Sequence, residues 1–454
     1  MNITIYIKAL LKLIIEKELT NTFSTRTLFI YSSVLYNGYG YIGNISNTDG
    51  YKNMININFE EEQDIEYYIQ HISLFGLSLL NETFNSKEIY DVIVEQSDIL
   101  LEDSKYNEFK DKYSKEINQI ELDIHDYYYL RDGDGWHDSN EQVIPTNKTV
   151  IKLNGETKWD QIDLYKWTGV QGQKIIGANW GKIPNLLNKD LITKIEEYAE
   201  SEYTKMDMEQ EHYNVLNNSL ILSEESKTNS EFWSNIDDNL TISGFYNYLL
   251  MCYLENNYLD LFTQIKFFHI LNIGLFETTI LVYNLKYKIE DPRPIQIIRG
   301  ANLSIEINYY FGQSDTDNWF PYKNLNSGLS EFPNFPSITS ALSSVGSFIL
   351  STILTDQLEK LQIKLSDREY FLDMVVINDI PMDLMDLIIE KHSSILFPNS
   401  PSKDIKISIK NFDDLAKLIG VSGVSSGDST SFSNQIGYNL GLAIGKLVFD
   451  FFIN

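Results

Sequence analysis

The stretch Lys286-Tyr-Lys-Ile-Glu-Asp-Pro-Arg293-Pro294 decides the fold of this chain, because it places two cations seven residues apart just before a proline. A helix that ends at the proline stacks Lys286 and Arg293 on one face near its end. Two converging cations, one of them a fork-shaped guanidinium, are what a tetrahedral oxyanion such as phosphate requires. The spacing therefore indicates a small oxyanion pocket. The alternative is a solvated face on which Glu290 and Asp291 pair with both cations locally.

Two later segments extend this pattern. They are Phe332-Pro-Asn-Phe-Pro336-Ser337-Ile338-Thr339 and Ser422-Gly423-Val-Ser-Ser-Gly427-Asp428-Ser429, the second of which precedes a glycine-punctuated helix. With the first segment, they resemble the three signature motifs of the vanadium-dependent haloperoxidases and their relatives, the type 2 phosphatidic-acid phosphatases. Those motifs read Lys, six residues, Arg-Pro; then Pro-Ser-Gly-His; then Ser-Arg, three residues, Gly, one residue, His.

Four residues differ from the motifs that they resemble. In the second segment, Ile338 replaces the family glycine and Thr339 replaces the acid-base histidine. In the third, Gly423 replaces an anion-binding arginine, and Ser429 replaces the histidine that bonds to vanadium or attacks phosphorus. Threonine exchanges no proton near neutral pH, and serine has no imidazole nitrogen. The catalytic groups that the resemblance implies are therefore missing from these positions.

What the resemblance leaves is an oxyanion-binding remnant, which consists of Lys286, Arg293 and Ser337. Losing one charge-assisted arginine contact costs about 1.5–3 kcal/mol of binding. Asp428, beside the altered histidine position, repels an anion and offers Arg293 an internal partner. We therefore predict that vanadate binding and catalysis are lost and that the chain has no cofactor and no metal site. Vanadate is expected only if the remnant pocket still functions.

Two hypotheses for function follow from the altered site. The first is a structural or interaction protein on a haloperoxidase-like scaffold, such as a component of a virus particle, with protein partners or self-association. The second is a divergent haloperoxidase or acid-phosphatase-like enzyme that uses the remaining cations and a nucleophile among Ser337, Thr339 and Ser429. None of these hydroxyls has a base that the sequence reveals, so we prefer the non-catalytic hypothesis.

The resemblance covers nearly the whole chain and implies the fold. It includes a first core helix at 24–36, an Arg-Asp-Gly loop at 129–136 and a tryptophan-rich connection at 159–181. It implies an all-α protein of two packed helical bundles of the vanadium haloperoxidase type, with long irregular connections. We place the N-terminal bundle and the tryptophan-rich connection in residues 1–235, and the C-terminal bundle with the altered site in residues 236–454.

Local patterns add expectations about individual elements. The alternation over 405–410 predicts a short strand, in an otherwise helical chain. Three serines precede apolar helical patterns and are predicted to be N-caps: Ser24, Ser337 and Ser433.

Composition restricts the partners. The net charge of −28 disfavours nucleic acid and anionic membrane surfaces, whose affinity for proteins comes mainly from neutralised phosphates. The single Cys252 excludes an internal disulfide. An acidic loop at 132–141, near His125, contains carboxylates of the kind that bind Ca²⁺, but its spacing does not match an EF-hand and a solvated loop is the alternative.

Two apolar segments bear on location. Residues 1–16 contain Lys8, Lys12 and Glu16 within the apolar run, which predicts an amphipathic helix rather than a signal peptide. Residues 259–285 include several polar side chains and are predicted to form a buried central helix rather than a membrane span. We therefore expect a soluble intracellular protein, with virion association as one possibility.

Overall fold

The computed structural model describes residues 2–43, 57, 59–134, 142–143, 174–300, 307–309, 312–314, 316, 319–322, 330–354, 362–364, 385–394 and 399–453. Helices dominate these residues, as the fold class predicts. They are α1 Thr4–Glu16, α2 Asn21–Gly43, α3 Glu62–Phe84, α4 Lys87–Glu102, α5 Ser104–Lys112, α6 Ser114–Asp132, α7 Lys189–Tyr203, α8 Met208–Leu220, α9 Glu224–Asn239, α10 Thr241–Asn256, α11 Leu261–Ile289, α12 Pro294–Gly300, α13 Ile338–Ile353, α14 Phe412–Ser425 and α15 Ser431–Ile453. A 3-10 helix covers Trp180–Lys182.

The strands are short. They are β1 Gln142–Val143, β2 Lys174–Ile175, β3 Ile307–Tyr309, β4 Gly312–Ser314, β5 Gln362–Lys364, β6 Met385–Ile389 and β7 Ile405–Ile409. β1 pairs with β2 and β3 pairs with β4, both antiparallel. β6 is the central strand of a three-stranded sheet, parallel to β5 and antiparallel to β7. The strand predicted at 405–410 is confirmed as β7.

The chain divides into two compact units. The first contains residues 1–137, 184–186 and 239–277, and the second contains residues 138–183, 187–238 and 278–454. The long helix α11 contributes to both units. The boundary that we placed between residues 235 and 236 stays a prediction.

Unit 1 is built around α2 and the first part of α11. Phe29 on α2 stacks on Phe276 of α11 with ring centroids 4.4 Å apart. His269 is fully buried beside them, and its Nδ1 lies 3.2 Å from Ser32 Oγ. The predicted N-terminal helix is confirmed as α1, whose apolar side chains pack on α10 and α4.

The close approach of α13 to α15 organises unit 2. Glycines recur every four residues along α15, and a Cβ at Gly437 or Gly441 would collide with the α13 backbone at Ser337 and Ala341. The short distance allows hydroxyls on α13 to bond across, as Ser344 Oγ donates to Tyr438 O at 2.8 Å. α14 packs against the same helix. The glycine spacing lets α15 approach α13, and the contact of α14 with α13 places the third motif next to the second.

Only one of the three predicted N-caps is a cap. Ser337 precedes α13, and its Oγ accepts a hydrogen bond from Ser340 N at 3.3 Å. The predictions for Ser24 and Ser433 were wrong, since both lie inside helices that begin earlier. Their hydroxyls have other partners: Ser24 Oγ lies 2.8 Å from Ser243 Oγ, and Ser433 Oγ donates to Asn334 O at 2.9 Å.

One helical segment among the described residues, Leu261–Gly300, is long and apolar enough to cross a membrane. Of its most apolar 18-residue window, 89% is buried inside the protein, as in the core helix of a soluble protein. The buried central helix predicted at 259–285 is thus confirmed. Most of the tryptophan-rich connection, and residues 135–141 of the acidic loop, lie outside the described residues.

Candidate functional site

The corner between α11 and α12 positions the two cations. Lys286 lies in the last turn of α11, which ends where Glu290 adopts a φ of 58°. Pro294 is the first residue of α12, a position where its missing N–H costs nothing. Gln296 Oε1 accepts a hydrogen bond from Arg293 N at 2.8 Å, which is the N3-to-N-cap half of a capping box. The backbone of Arg293 is therefore held at the N-terminus of α12. The prediction that one helix carries both cations on one face was wrong, because α11 ends at Ile289, four residues before Arg293.

Carbonyl groups of the segment that precedes α13 surround these cations. Lys286 Nζ donates to Pro333 O at 2.7 Å and to Asn334 O at 3.1 Å. Arg293 Nε donates to Phe332 O at 2.8 Å, and its Nη2 donates to Pro333 O at 3.3 Å. Both cations also lie 4.8 Å from the centroid of the Phe332 ring. The chain thus supplies backbone oxygens to both charged groups.

Burial gives this arrangement its electrostatic character. Lys286 is 0% exposed and Arg293 is 5% exposed. Burial and the neighbouring guanidinium of Arg293 hold the pKa of Lys286 well below its usual value, although Asp291 and Asp428 act in the opposite direction. Two neighbouring buried like charges need compensation from acceptors, which the carbonyl groups provide in part.

Asp428 provides the rest of the compensation. Its Oδ2 lies 3.1 Å from Arg293 Nη1 and accepts a second hydrogen bond from Ser330 Oγ at 2.7 Å. The backbone oxygen of Asp428 also accepts from Arg293 Nη1, at 2.9 Å. Gly427 has a φ of 77°, which favours glycine, and this turn carries the chain to Arg293. The internal ion pair that the sequence offered is present.

The second motif position is organised as a helix start. Ser337 Oγ caps α13, and Ser337 N donates to Ser433 O at 3.1 Å. Ile338, at the family glycine position, is buried in the first turn of α13. Thr339, at the family histidine position, is half-buried, and its backbone oxygen accepts from Ser343 Oγ at 2.5 Å. Among the described contacts, none joins Ser337 Oγ to Lys286 or Arg293.

The third motif position retains open space. Gly423 lies in α14, and its backbone oxygen accepts from Ser429 N at 3.1 Å. A Cβ added at Gly423 would meet only the Cβ of Ser429, at 3.9 Å, among the described atoms. Ser429 is 5% exposed, and its Oγ has no hydrogen-bond partner within the described part of the chain. The structure brings these two altered positions together, and no other described atom lies within 4 Å of a Cβ built on Gly423.

Several contributors to the site were missed from the sequence. Asp291 does not pair locally with the cations; its carboxylate accepts from Tyr203 Oη at 2.8 Å and from Asn334 Nδ2 at 2.6 Å. Burial raises the pKa of Asp291, although nearby His212 and these hydrogen bonds lower it. No local pattern identifies such contacts, because their partners lie more than forty residues away in the chain.

His212 is the buried histidine of this region. It lies on α8, where its Nδ1 is 2.6 Å from Met208 O, so Nδ1 carries the proton and donates. Its Nε2 has no partner among the described residues. Within the described ranges, no group of three or more His, Cys, Asp or Glu side chains is arranged to hold a metal ion.

Comparisons with known proteins agree with this architecture. Residues 266–454 match the family model of the VCPO second helical-bundle domain. A search among curated proteins gives no significant match.

Three solved structures are similar across nearly the whole chain. A holo-type bacterial vanadium-dependent chloroperoxidase has 15% identity and a TM-score of 0.66, covering 95% of this chain and 92% of that one. The apo-type bacterial vanadium-dependent chloroperoxidase has 14% identity and a TM-score of 0.66, with 95% of both chains covered. A bacterial vanadium-dependent iodoperoxidase has 12% identity and a TM-score of 0.60, covering 98% and 94%. The TM-scores over nearly the whole chain show a shared fold, and identities this low show nothing beyond the fold.

Proposed function

We propose that this chain is a member of the vanadium haloperoxidase superfamily that has lost vanadate binding and catalysis and acts as a structural or interaction protein; the match of residues 266–454 to the VCPO second helical-bundle domain and the shared fold support the membership. Its role is to contribute a stable helical scaffold to a larger assembly, of which a virus particle is one example. Its partners are other proteins or further copies of itself.

One observation carries this proposal: the chain itself supplies the acceptors for its two site cations. Lys286 Nζ meets two carbonyl oxygens. Arg293 meets three carbonyl oxygens and the carboxylate of Asp428. An incoming oxyanion has to displace these contacts and approach a carboxylate of its own sign, which costs several kcal/mol in a buried site.

The residues present do not fit vanadate. At the position where the resemblance implies a histidine ligand to vanadium, Ser429 offers only a hydroxyl, which is a weaker ligand than an imidazole nitrogen. At the position implied for a second arginine, Gly423 has no side chain, and the space beside it stays open. The fold is therefore retained while the donor set of the site has changed.

The competing hypothesis is a divergent enzyme, which needs a nucleophile and a base. Ser337 Oγ already accepts from Ser340 N as a helix cap, which restricts its orientation. Ser429 Oγ is buried and lacks a described partner, so it is the better candidate of the two. A serine without an adjacent base is a weak nucleophile, and we therefore prefer the non-catalytic function.

Turnover assays test the proposal. Purified protein is incubated with vanadate, hydrogen peroxide and chloride, bromide or iodide, and separately with para-nitrophenyl phosphate. We expect the wild-type protein and Lys286→Ala to give equal rates, because the wild-type site has no base beside a nucleophile and no imidazole ligand for vanadium. Turnover that is clearly faster than in Lys286→Ala, and that is also lost in Ser429→Ala, would establish the divergent enzyme instead.

A further inference from the structure

The helix α4 exposes an unusual share of large apolar side chains. Of the fifteen such side chains exposed in the described part of the chain, four belong to this helix of 16 residues: Tyr90, Val94, Ile99 and Leu101. Tyr90 is 58% exposed and Leu101 is 56% exposed. The exposed side chains are not needed to attach α4 to unit 1, because Ile89 and Leu100 of the same helix are buried there.

Three of the exposed side chains lie on one face. Residues follow one another at about 100° around a helix, so Tyr90, Val94 and Leu101 fall within about 40° of each other. They extend over about 16 Å, or three helical turns. We name this surface, formed by Tyr90, Val94 and Leu101, the α4 face. The helices α1 and α3 are in contact with α4, and its buried residues Ile89 and Leu100 lie about 100° around the helix from the α4 face.

The acidic residues of α4 indicate which kind of partner the α4 face fits. The helix contains one basic residue, Lys87, and five acidic residues, of which four are exposed: Asp91, Glu95, Asp98 and Glu102. A second copy would bring the same acidic helix and a net charge of −28, which opposes self-pairing. The four exposed carboxylates lie along one edge of the apolar stripe. This arrangement is complementary to a helix whose apolar stripe is flanked by lysine or arginine.

We propose that the α4 face binds a basic amphipathic helix of a partner protein. The apolar side chains of the partner cover Tyr90, Val94 and Leu101, and its cations pair with the carboxylates at the border. Exposed border pairs contribute modestly, so most of the affinity comes from burying the three apolar side chains. This inference rests on the proposed function as an interaction protein and names the class of partner.

Synthetic peptides test the inference on the full-length protein. The probe is a helical peptide with leucine at heptad positions a and d and lysine at e and g. One control is its scrambled isomer of equal charge, and another is the same heptad peptide with glutamate in place of lysine. Binding is measured by calorimetry at physiological salt, where bulk attraction is screened.

We expect the basic heptad peptide to bind at least tenfold more tightly than the scrambled and acidic peptides. The variant Tyr90→Ser/Val94→Ser should weaken that binding about tenfold. The matched variant Tyr129→Ser/Leu130→Ser, which removes two exposed apolar side chains from α6, should leave it unchanged. Circular dichroism of both variants checks that each remains folded.

Three results would overturn the inference. Equal binding of the scrambled peptide would show that only the net charge of the peptide is recognised. Unchanged binding by Tyr90→Ser/Val94→Ser would show that the peptide binds at another surface. A dimer in sedimentation velocity that Tyr90→Ser/Val94→Ser abolishes would assign the α4 face to a second copy. None of these results involves oxyanion binding, so the inference and the proposed loss of chemistry can fail independently.

Discussion

Removing the carboxylate of Asp428 should expose the charge of Arg293 and create a response to phosphate. In Asp428→Ala, Arg293 Nη1 loses its partner at 3.1 Å and Ser330 Oγ loses its partner at 2.7 Å. Breaking a buried pair from one side costs about 3–5 kcal/mol. Because Arg293 keeps its carbonyl contacts and Asp428 is 17% exposed, we expect the lower value of about 2–3 kcal/mol that a hydrogen bond to a charged group gives.

Phosphate should then recover part of the loss. An anion that enters the vacated space stabilises the folded protein by about 1.4 kcal/mol when its concentration is ten times its dissociation constant. The assay is urea unfolding in chloride and in phosphate at equal ionic strength. The control variant Asp450→Ala removes an exposed carboxylate of unit 2 and should unfold like the wild type in both buffers.

Two results would refute this reasoning. If phosphate stabilises the wild type as much as Asp428→Ala, Asp428 does not compete with an anion. If Asp428→Ala unfolds at the same urea concentration as the wild type, the ion pair contributes nothing to the folded state.

Three further predictions concern the fold that supports the site. Burial lowers the pKa of His269 to about 3, so the unfolded chain binds an extra proton between pH 3 and 6.5. The free energy of unfolding should therefore fall by up to about 4–5 kcal/mol as the pH falls through this window. In His269→Phe, urea unfolding measured across the same pH range should lack this component. Gly441→Ala should destabilise the protein by about 1–3 kcal/mol, because the added Cβ collides with α13. Gly423→Ala should stabilise it by about 0.5–1 kcal/mol, because the added Cβ meets only the Cβ of Ser429 among the described atoms. Equal effects of the two variants in urea unfolding would argue against the close approach of α15 to α13. Gln296→Ala should cost about 1 kcal/mol in the same assay, since it removes the capping bond to Arg293 N, and an unchanged midpoint would mean that this cap is not needed.

The sequence predicts the elements well where the signal is local. The apolar run before Lys286 predicts α11, but the expectation that this helix continues to the proline after Arg293 was wrong, because the chain turns at Glu290 and Pro294 begins α12. The glycine-punctuated helix is present as α15. The strand at 405–409 follows from simple alternation. The serine caps were harder to predict, because Ser24 and Ser433 have tertiary partners that a local pattern does not contain.

The site itself was predictable only in part. The cations and the possible partnership of Asp428 with Arg293 could be inferred from side-chain identity and spacing. The carbonyl groups of Phe332, Pro333 and Asn334 could not, because every residue has such a group and only the path of the chain aims it. The contribution of Asp291 also depends on long-range packing against Tyr203.

Calorimetric titration of the purified wild-type protein with vanadate, and separately with phosphate, at low salt tests the central claim most directly. The account predicts no binding heat up to millimolar ligand, because Lys286 and Arg293 are already satisfied by the chain. Saturable binding at micromolar ligand that disappears in Arg293→Ala would contradict it and would establish a working oxyanion site.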